Sequence, residues 1–477
     1  METWKKFVLI VVLIVGALLV YMPHYGSQYP LHVDEWNSIS ETKIAQNEGL
    51  QYLVTRPVES GFVFFLYILD LFFPLILIYK FLPLLNFVVV SLILFYFLNK
   101  KDYWIGIFAI MFFASLRSNV NVLGNWFFVP ITFAAIFIYL LLFKLKEGFD
   151  KGGIYLIAFL LFLIAFIHPS SFLVLFLTVC VYYWLNYRKV LEKSKLFLPF
   201  LILLIPVFLI IYYFGDFSYL LSRLIWSPLV VQINFNPFLF YGLLSSFFAV
   251  YGFVLTYKKK ELLGFRIYLM ISLVSLVSFW FVGRILFSSY QRYLYHFMLA
   301  VVVFSAIGFY EFLRVVYSHF DRCGKELRVL ILLILVFVTV FFVFVNYRGV
   351  YPGTELYKVI DKGDYDALMF LKNYDLDYTP HRSYLNSAQL ISPRGPGTAS
   401  YAIANRASVS SSTYYYRSFE EVGLSEEFFM KGCDFKKEVL DKYENILYVY
   451  SYEKIDCSFL EEIYGNDNVY LYVAVRD

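Results

Sequence analysis

Charge is what this 477-residue chain has least of: Asp, Glu, Lys and Arg make up 16% of it, where soluble domains carry about 25%. A chain so poor in charge and 60% hydrophobic is not an ordinary soluble protein. Run after run approaches the roughly 20 apolar residues that cross a bilayer. Histidine is also sparse, with six scattered residues, which argues against a histidine-rich zinc site. The sequence has no Walker A loop, strand-linked GxGxxG, CxxC pair or HExxH. An ATP-driven pump and a nucleotide-sugar enzyme of Rossmann type are therefore disfavoured, and the chemistry calls for a substrate delivered in or at the membrane. No internal repeat and no low-complexity tract is visible. The four cysteines are Cys180 in an apolar run, Cys323 in a basic loop, and Cys433 and Cys457 near the C-terminus. The last pair can be a disulfide if that segment is extracytoplasmic, and spacing alone leaves two free thiols equally open.

What is present is an alternation of apolar runs and basic clusters. Lys100-Lys101, Lys144 to Lys151, Arg188 to Lys195, Lys258 to Lys260 and Arg314 to Arg328 read as cytoplasmic loops by the positive-inside rule. The charge-poor connectors at 115–125, 168–171, 215–236 and 283–291 then face outward. The net charge of +4 says little about partners, because the side on which charges fall matters more than their sum. The fold class expected is mainly α, a polytopic membrane protein with about eleven transmembrane helices and a small extracytoplasmic α/β domain. The expected spans lie near 4–22, 77–99, 103–118, 124–143, 153–168, 170–187, 196–214, 237–257, 265–283, 293–314 and 328–347. The apolar piece 61–73 is too short to cross comfortably and is read as interfacial or partly inserted. The domain division expected is 1–348 for the membrane part and 349–477 for the C-terminal part, with the N-terminus cytoplasmic.

In the C-terminal part, 364–374 and 418–430 have helical patterns. Stretches 444–452 and 468–475, rich in Tyr, Val and Ile, read as strands. The Gly-, Pro- and Ser-rich stretch from Ser392 to Ser412 reads as a loop.

The segment His32-Val33-Asp34-Glu35-Trp36 follows the first apolar run and carries two adjacent carboxylates at a membrane surface. Desolvating an acid there is costly unless it is paired or used. Residues 35–48 read as a surface helix, which leaves Asp34 either as a helix cap or as a general base. Polar residues on the expected outer face include Asp34, Glu35, Arg56, Glu59, Arg117, His168, Arg223, Arg284 and Arg292. An acid pair beside several arginines suits a lipid-phosphate sugar donor. Arginine binds phosphate bidentately and offsets the charge that grows on it as the sugar leaves, while a carboxylate deprotonates the attacking acceptor. Snorkelling at the interface explains Arg117, Arg223 and Arg284 better than ligand binding does. His168-Pro169-Ser170 reads as a helix end forced by proline, with His168 hydrogen-bonded locally, in preference to a substrate contact. Asp70 and Asp216 read as interfacial loop residues.

The order of first span, Asp34-Glu35, surface helix, Arg56-Pro57 and Glu59-Ser60-Gly61 resembles the GT-C superfamily of integral-membrane glycosyltransferases. Gln291-Arg292-Tyr293-Leu294-Tyr295, opening a late span, is similar to the Arg-Tyr signature of its protein-mannosyltransferase and aminoarabinose-transferase branch. The resemblance implies a polyprenyl- or dolichyl-phosphate sugar as donor, inversion at the anomeric carbon, and Asp34 as base with Glu35 beside it. It implies Arg292, with Arg284, Arg117 and Arg56, at the donor phosphate. Glu59, His168, Tyr293 and Arg223 are candidate substrate contacts. The expected partners are the bilayer, the lipid-linked donor and an acceptor of unassigned type, with no nucleic acid. The stretch 115–126 lacks the second acid that many relatives carry, which disfavours a divalent metal, and no other cofactor is called for. That gap, and the lack of a Trp-Trp-Asp motif, favour transfer of a single sugar over an oligosaccharide. The alternatives are a transporter or flippase of lipid-linked saccharides, and a ligase or polymerase of surface glycans. Against the first stands the lack of repeated halves and of midplane charges.

Overall fold

The computed structural model describes residues 2–55, 59–118, 122–147, 151–186, 225–226, 236–283, 285–286, 288–319, 325–347, 358–374, 389–409, 419–443 and 446–475. The molecule is mostly helical with a small sheet. Its contacts divide it into two compact units. One comprises 1–25, 57–62 and 81–352, and the other comprises 26–56, 63–80 and 353–477.

The first unit is a bundle of apolar helices. Helices lie over ten of the expected spans, including Thr3–Tyr21, Tyr103–Ala114, Lys151–Ile167, Pro169–Leu185, Leu263–Val282 and Lys325–Tyr347. The expected span 196–214 falls outside the described residues. Among the described residues four helical stretches are long and apolar enough to cross a membrane: Thr3–His24, Leu75–Leu98, Lys260–Val282 and Tyr290–His319. Six shorter apolar helices accompany them, and Ser60–Phe72 is one of these. This is the pattern of a multi-pass membrane protein.

The Tyr290–His319 helix is the centre of the bundle, its side chains buried from Tyr293 to Phe309. It packs on Leu243–Thr256, Leu263–Val282 and Tyr103–Ala114. Its approach to Leu243–Thr256 is closed by a pair of glycines. A Cβ on Gly252 would strike the Phe304 carbonyl oxygen and sit 2.8 Å from the Gly308 nitrogen, and one on Gly308 would strike the Phe248 carbonyl oxygen. Small residues bring helix backbones together where lipid offers no hydrophobic drive for association. The Thr3–Tyr21 helix turns Phe7, Ile10, Ile14 and Leu18 outward, as a lipid-facing helix does.

The second unit gathers the Val33–Glu48 helix, most of Ser60–Phe72 and the C-terminal segment. Its sheet has the order Leu390–Ile391, Tyr448–Ser451, Tyr470–Ala474, Leu460–Gly465. The first pair is parallel and the others antiparallel. Val449 and Tyr472 are register partners and pack with Phe428, Val439, Leu440 and Ile446 beneath the sheet. Helices occupy Lys362–Tyr374 and Phe419–Met430, and a further helix, Cys433–Lys442, was not foreseen. Cys433 and Cys457 are joined as a disulfide, and Cys180 is a free thiol; Cys323 lies outside the described residues.

Two expectations need correction here. Residues Arg394–Ala404, read as loop, form a helix. Pro396 falls in its first turn, where a missing N–H costs nothing. Residues Thr398 to Ala404 of this helix are all buried, and Thr398, Ala399, Ser400, Ala402 and Ala404 among them are small. That lets it lie close against Val33–Glu48, where the Ser40 hydroxyl donates to the Thr398 carbonyl at 3.1 Å. Gly395 fits within 2.6 Å, measured from an added Cβ, of the Val359 carbonyl oxygen. Asp70, read as a loop residue, lies within the Ser60–Phe72 helix. Its side chain is 4% exposed and pairs with Lys43 at 2.5 Å. It also takes the Gln46 amide at 2.7 Å and the Leu75 N–H at 3.0 Å, so it ties the Val33–Glu48 helix to the next turn of chain.

Candidate active site

The acid pair sits at the start of Val33–Glu48, one of the few polar helices in the chain. The helix begins two residues earlier than its sequence pattern suggested, because His32 is its N-cap. The His32 Nδ1 accepts the Asp34 N–H at 3.0 Å. Glu35, at the third helical position, reaches back and accepts the N–H groups of Leu31 at 2.9 Å and His32 at 3.1 Å. This is the reciprocal cap that silences otherwise unpaired helix-start donors. The two carboxylates therefore differ in kind. Glu35 is fully buried and occupied with backbone, whereas the Asp34 side chain is 41% exposed and stands 3.9 Å from His32 Nδ1. The capping work that Asp34 was a candidate for is done by its neighbours. Trp36 anchors the other flank, donating its indole N–H to the Pro30 carbonyl at 3.1 Å.

A second polar cluster lies in the apolar bundle. His168 caps the Pro169–Leu185 helix, its Nδ1 accepting the Ser171 N–H at 3.2 Å. Its Nε2 stands 4.0 Å from Glu59 Oε1. Glu59 is held in the left-handed backbone region with φ of 59°, a conformation that costs a non-glycine residue energy and recurs at functional sites. Gly61 follows at a place where a Cβ would meet the Phe166 ring and lie 2.9 Å from the Phe166 carbonyl oxygen. The Glu59-Ser60-Gly61 turn thus closes directly on the end of the helix before His168. Arg292, in the first turn of Tyr290–His319, donates to the Ser170 hydroxyl at 3.4 Å. Behind His168, its Nδ1 meets Ser171 Oγ at 2.7 Å. Ser171 Oγ lies 3.4 Å from His296 Nε2, and His296 Nδ1 lies 2.6 Å from the Tyr268 hydroxyl.

The structure thus brings Glu59, His168 and Arg292 into one cluster. Tyr293 is buried edge-on to His296, with ring centroids 6.1 Å apart. Arg117 lies with its guanidinium 5.8 Å from the Phe240 ring centroid, a cation–π placement. Arg56, Arg223 and Arg284 fall outside the described residues. Sequence reasoning missed Ser171, Tyr268 and His296. The signal for His296 was its place four residues after Arg292, on the same helix face. Among the described residues no three His, Cys, Asp or Glu side chains converge as a metal site.

No family model matches the chain, and no curated protein sequence matches it. Solved structures do. The archaeal oligosaccharyltransferase AglB from Archaeoglobus fulgidus, in complex with an inhibitory peptide and a dolichol-phosphate, superposes with a TM-score of 0.59 at 14% identity, over 94% of this chain and 69% of that one. The Archaeoglobus fulgidus oligosaccharyltransferase in its apo form gives a TM-score of 0.63 at 12% identity, over 94% of this chain and 70% of that one. At such identities the likeness is one of fold. The chain has the fold of these archaeal oligosaccharyltransferases.

Proposed function

We propose that this protein is an inverting glycosyltransferase that moves a sugar from a polyprenyl- or dolichyl-phosphate donor to an acceptor on the outer face of the membrane. The observation that carries the reading is the state of the acid pair: Glu35 is consumed in the helix cap, and Asp34 is held beside it, part-exposed, on a backbone the cap makes rigid. In this reading Asp34 takes the proton of the acceptor hydroxyl or amine as that atom bonds to the anomeric carbon. The bond from that carbon to the phosphate oxygen breaks, its electron pair leaves with the phosphate, and the carbon is inverted. Arg292 offsets the charge that accumulates on the phosphate, with Arg56, Arg117 and Arg284 as further candidates. The Cys433–Cys457 disulfide supports a C-terminal segment in an oxidising compartment, as an extracytoplasmic placement requires.

The fold likeness to oligosaccharyltransferases favours a second reading, transfer of a lipid-linked glycan to a polypeptide. Incubating the purified protein with a panel of radiolabelled polyprenyl-phosphate sugars and lipid-linked oligosaccharides separates the two, by which label leaves its lipid. Asp34→Asn should abolish release while donor binding persists. Retained release would sink the assignment of Asp34 and favour a glycan ligase, whereas no release from any lipid by the wild type would favour a flippase.

A further inference from the structure

The hydrogen bonds behind His168 have only one consistent direction. The Ser171 backbone N–H can only donate, so His168 Nδ1 is an acceptor. Ser171 Oγ, 2.7 Å from that same lone pair, must then donate its proton there as well. With its proton so placed, Ser171 Oγ accepts from His296 Nε2. His296 Nδ1 is left to accept the Tyr268 O–H at 2.6 Å. Tyr268, His296, Ser171 and His168 thus form one line of donors, and it ends with the proton of His168 on Nε2, the atom that faces Glu59.

At 4.0 Å the His168 Nε2 and Glu59 Oε1 are too far apart for a direct hydrogen bond. The gap suits a shared oxygen lying about 2.8 Å from each. The two ends differ in role, since the imidazole N–H gives and the carboxylate takes. A hydroxyl group satisfies both at once, accepting from His168 and donating to Glu59. A phosphate oxygen satisfies only the first and is repelled by the second. Arg292, bonded to the neighbouring Ser170, supplies the charge a phosphate needs, so the hydroxyl next to it belongs to the group that phosphate carries. We propose that Glu59 and His168 together read one hydroxyl of the donor's sugar, with Ser171, His296 and Tyr268 as the positioning residues that fix the His168 tautomer. The assignment rests on the lipid-phosphate-sugar reading above and makes this pair the element that selects the sugar.

The test uses the full-length protein in detergent, with polyprenyl-phosphate sugars and their monodeoxy analogues at each ring position. The wild type should reject one deoxy position, with KM raised about a hundredfold, because a site built to bond a hydroxyl loses both of its hydrogen bonds to it when it is missing. His168→Asn, which keeps a good helix cap but is too short to reach, and Glu59→Gln should both erase that discrimination. Ser171→Ala and Tyr268→Phe should weaken it, while the other deoxy positions are read as before. If the wild type transfers the sugar and these variants discriminate among deoxy donors as it does, Glu59 and His168 do not read the sugar, although the lipid-phosphate reading stands. If the wild type takes no sugar from any lipid in the panel, both readings fall.

Discussion

Glu35 accepts the backbone N–H of His32 at 3.1 Å while His32 accepts the N–H of Asp34 at 3.0 Å, so one acid of the pair builds the scaffold on which the other is displayed. The two substitutions should therefore fail differently. Asp34→Asn should cut transfer by about two to four orders of magnitude, the usual worth of a positioned general base, and leave thermal stability unchanged. Glu35→Ala strips the cap and leaves the Leu31 and His32 N–H groups unpaired in a buried setting, which should cost about 1–3 kcal/mol. Rates and melting temperatures of the two variants check this. An Asp34→Asn protein that melts early, or a stable Glu35→Ala protein without activity, would reverse the roles.

The crossing of Gly252 and Gly308 leaves no room for a side chain on either helix. Gly308→Leu should push Tyr290–His319 away from Leu243–Thr256 and destabilise the bundle by about 1–3 kcal/mol or more. Arg292 opens the same helix, so donor binding should weaken together with the melting temperature. Gly152→Ala, at a position where an added Cβ meets nothing within 4 Å, is the control expected to behave as wild type in both measurements.

Much of the architecture was legible because apolar runs and basic clusters obey membrane rules directly: Thr3–Tyr21, Pro169–Leu185 and Lys325–Tyr347 fall where hydropathy puts them. Glycine and proline misled at Arg394–Ala404, where small residues serve close packing and not chain reversal. The Glu35 cap was hidden because His32, an uncommon N-cap, carries no such label in the usual residue preferences. The line from Tyr268 to His168 was invisible for a different reason. Its members lie on three helices far apart in the sequence, and only the fold brings positions 59, 168, 268 and 296 together.

Asp364 gives a pH dependence of stated sign. Its carboxylate caps the Lys362–Tyr374 helix, accepting the Asp361 N–H at 2.7 Å, and the Tyr450 hydroxyl donates to its other oxygen. Burial raises its pKa above the ordinary aspartate value; the hydrogen bonds from Tyr450, Asp361 and Tyr452 oppose that, and the nearby Asp361 charge adds to it. A carboxyl whose folded pKa is raised contributes stability that is complete below its unfolded pKa and fades as pH rises through the folded value. Lowering the pH from neutral toward the ordinary aspartate range should therefore raise the melting temperature of the wild type relative to Asp364→Asn. Parallel melting curves of the two proteins across that range would show that Asp364 ionises alike in both states.

The Cys433–Cys457 bond closes a loop with a sequence separation of 24 residues between the Cys433–Lys442 helix and the strand that begins at Leu460. By the loop-entropy relation, a cross-link of that length stabilises by about 3 kcal/mol. Cys433→Ser with Cys457→Ser, or reduction of the wild type, should lower the unfolding midpoint accordingly. Hydrogen exchange resolves where the loss falls. Val439, Leu440 and Val449 share one core, so their amides should lose protection, while those of Tyr290–His319 should not. Uniform loss across both regions would mean that the two units unfold as one. Unchanged protection at Val449 would mean that the sheet holds without its cross-link, and that the bond guards only the Cys433–Lys442 helix and the turn after Ser451.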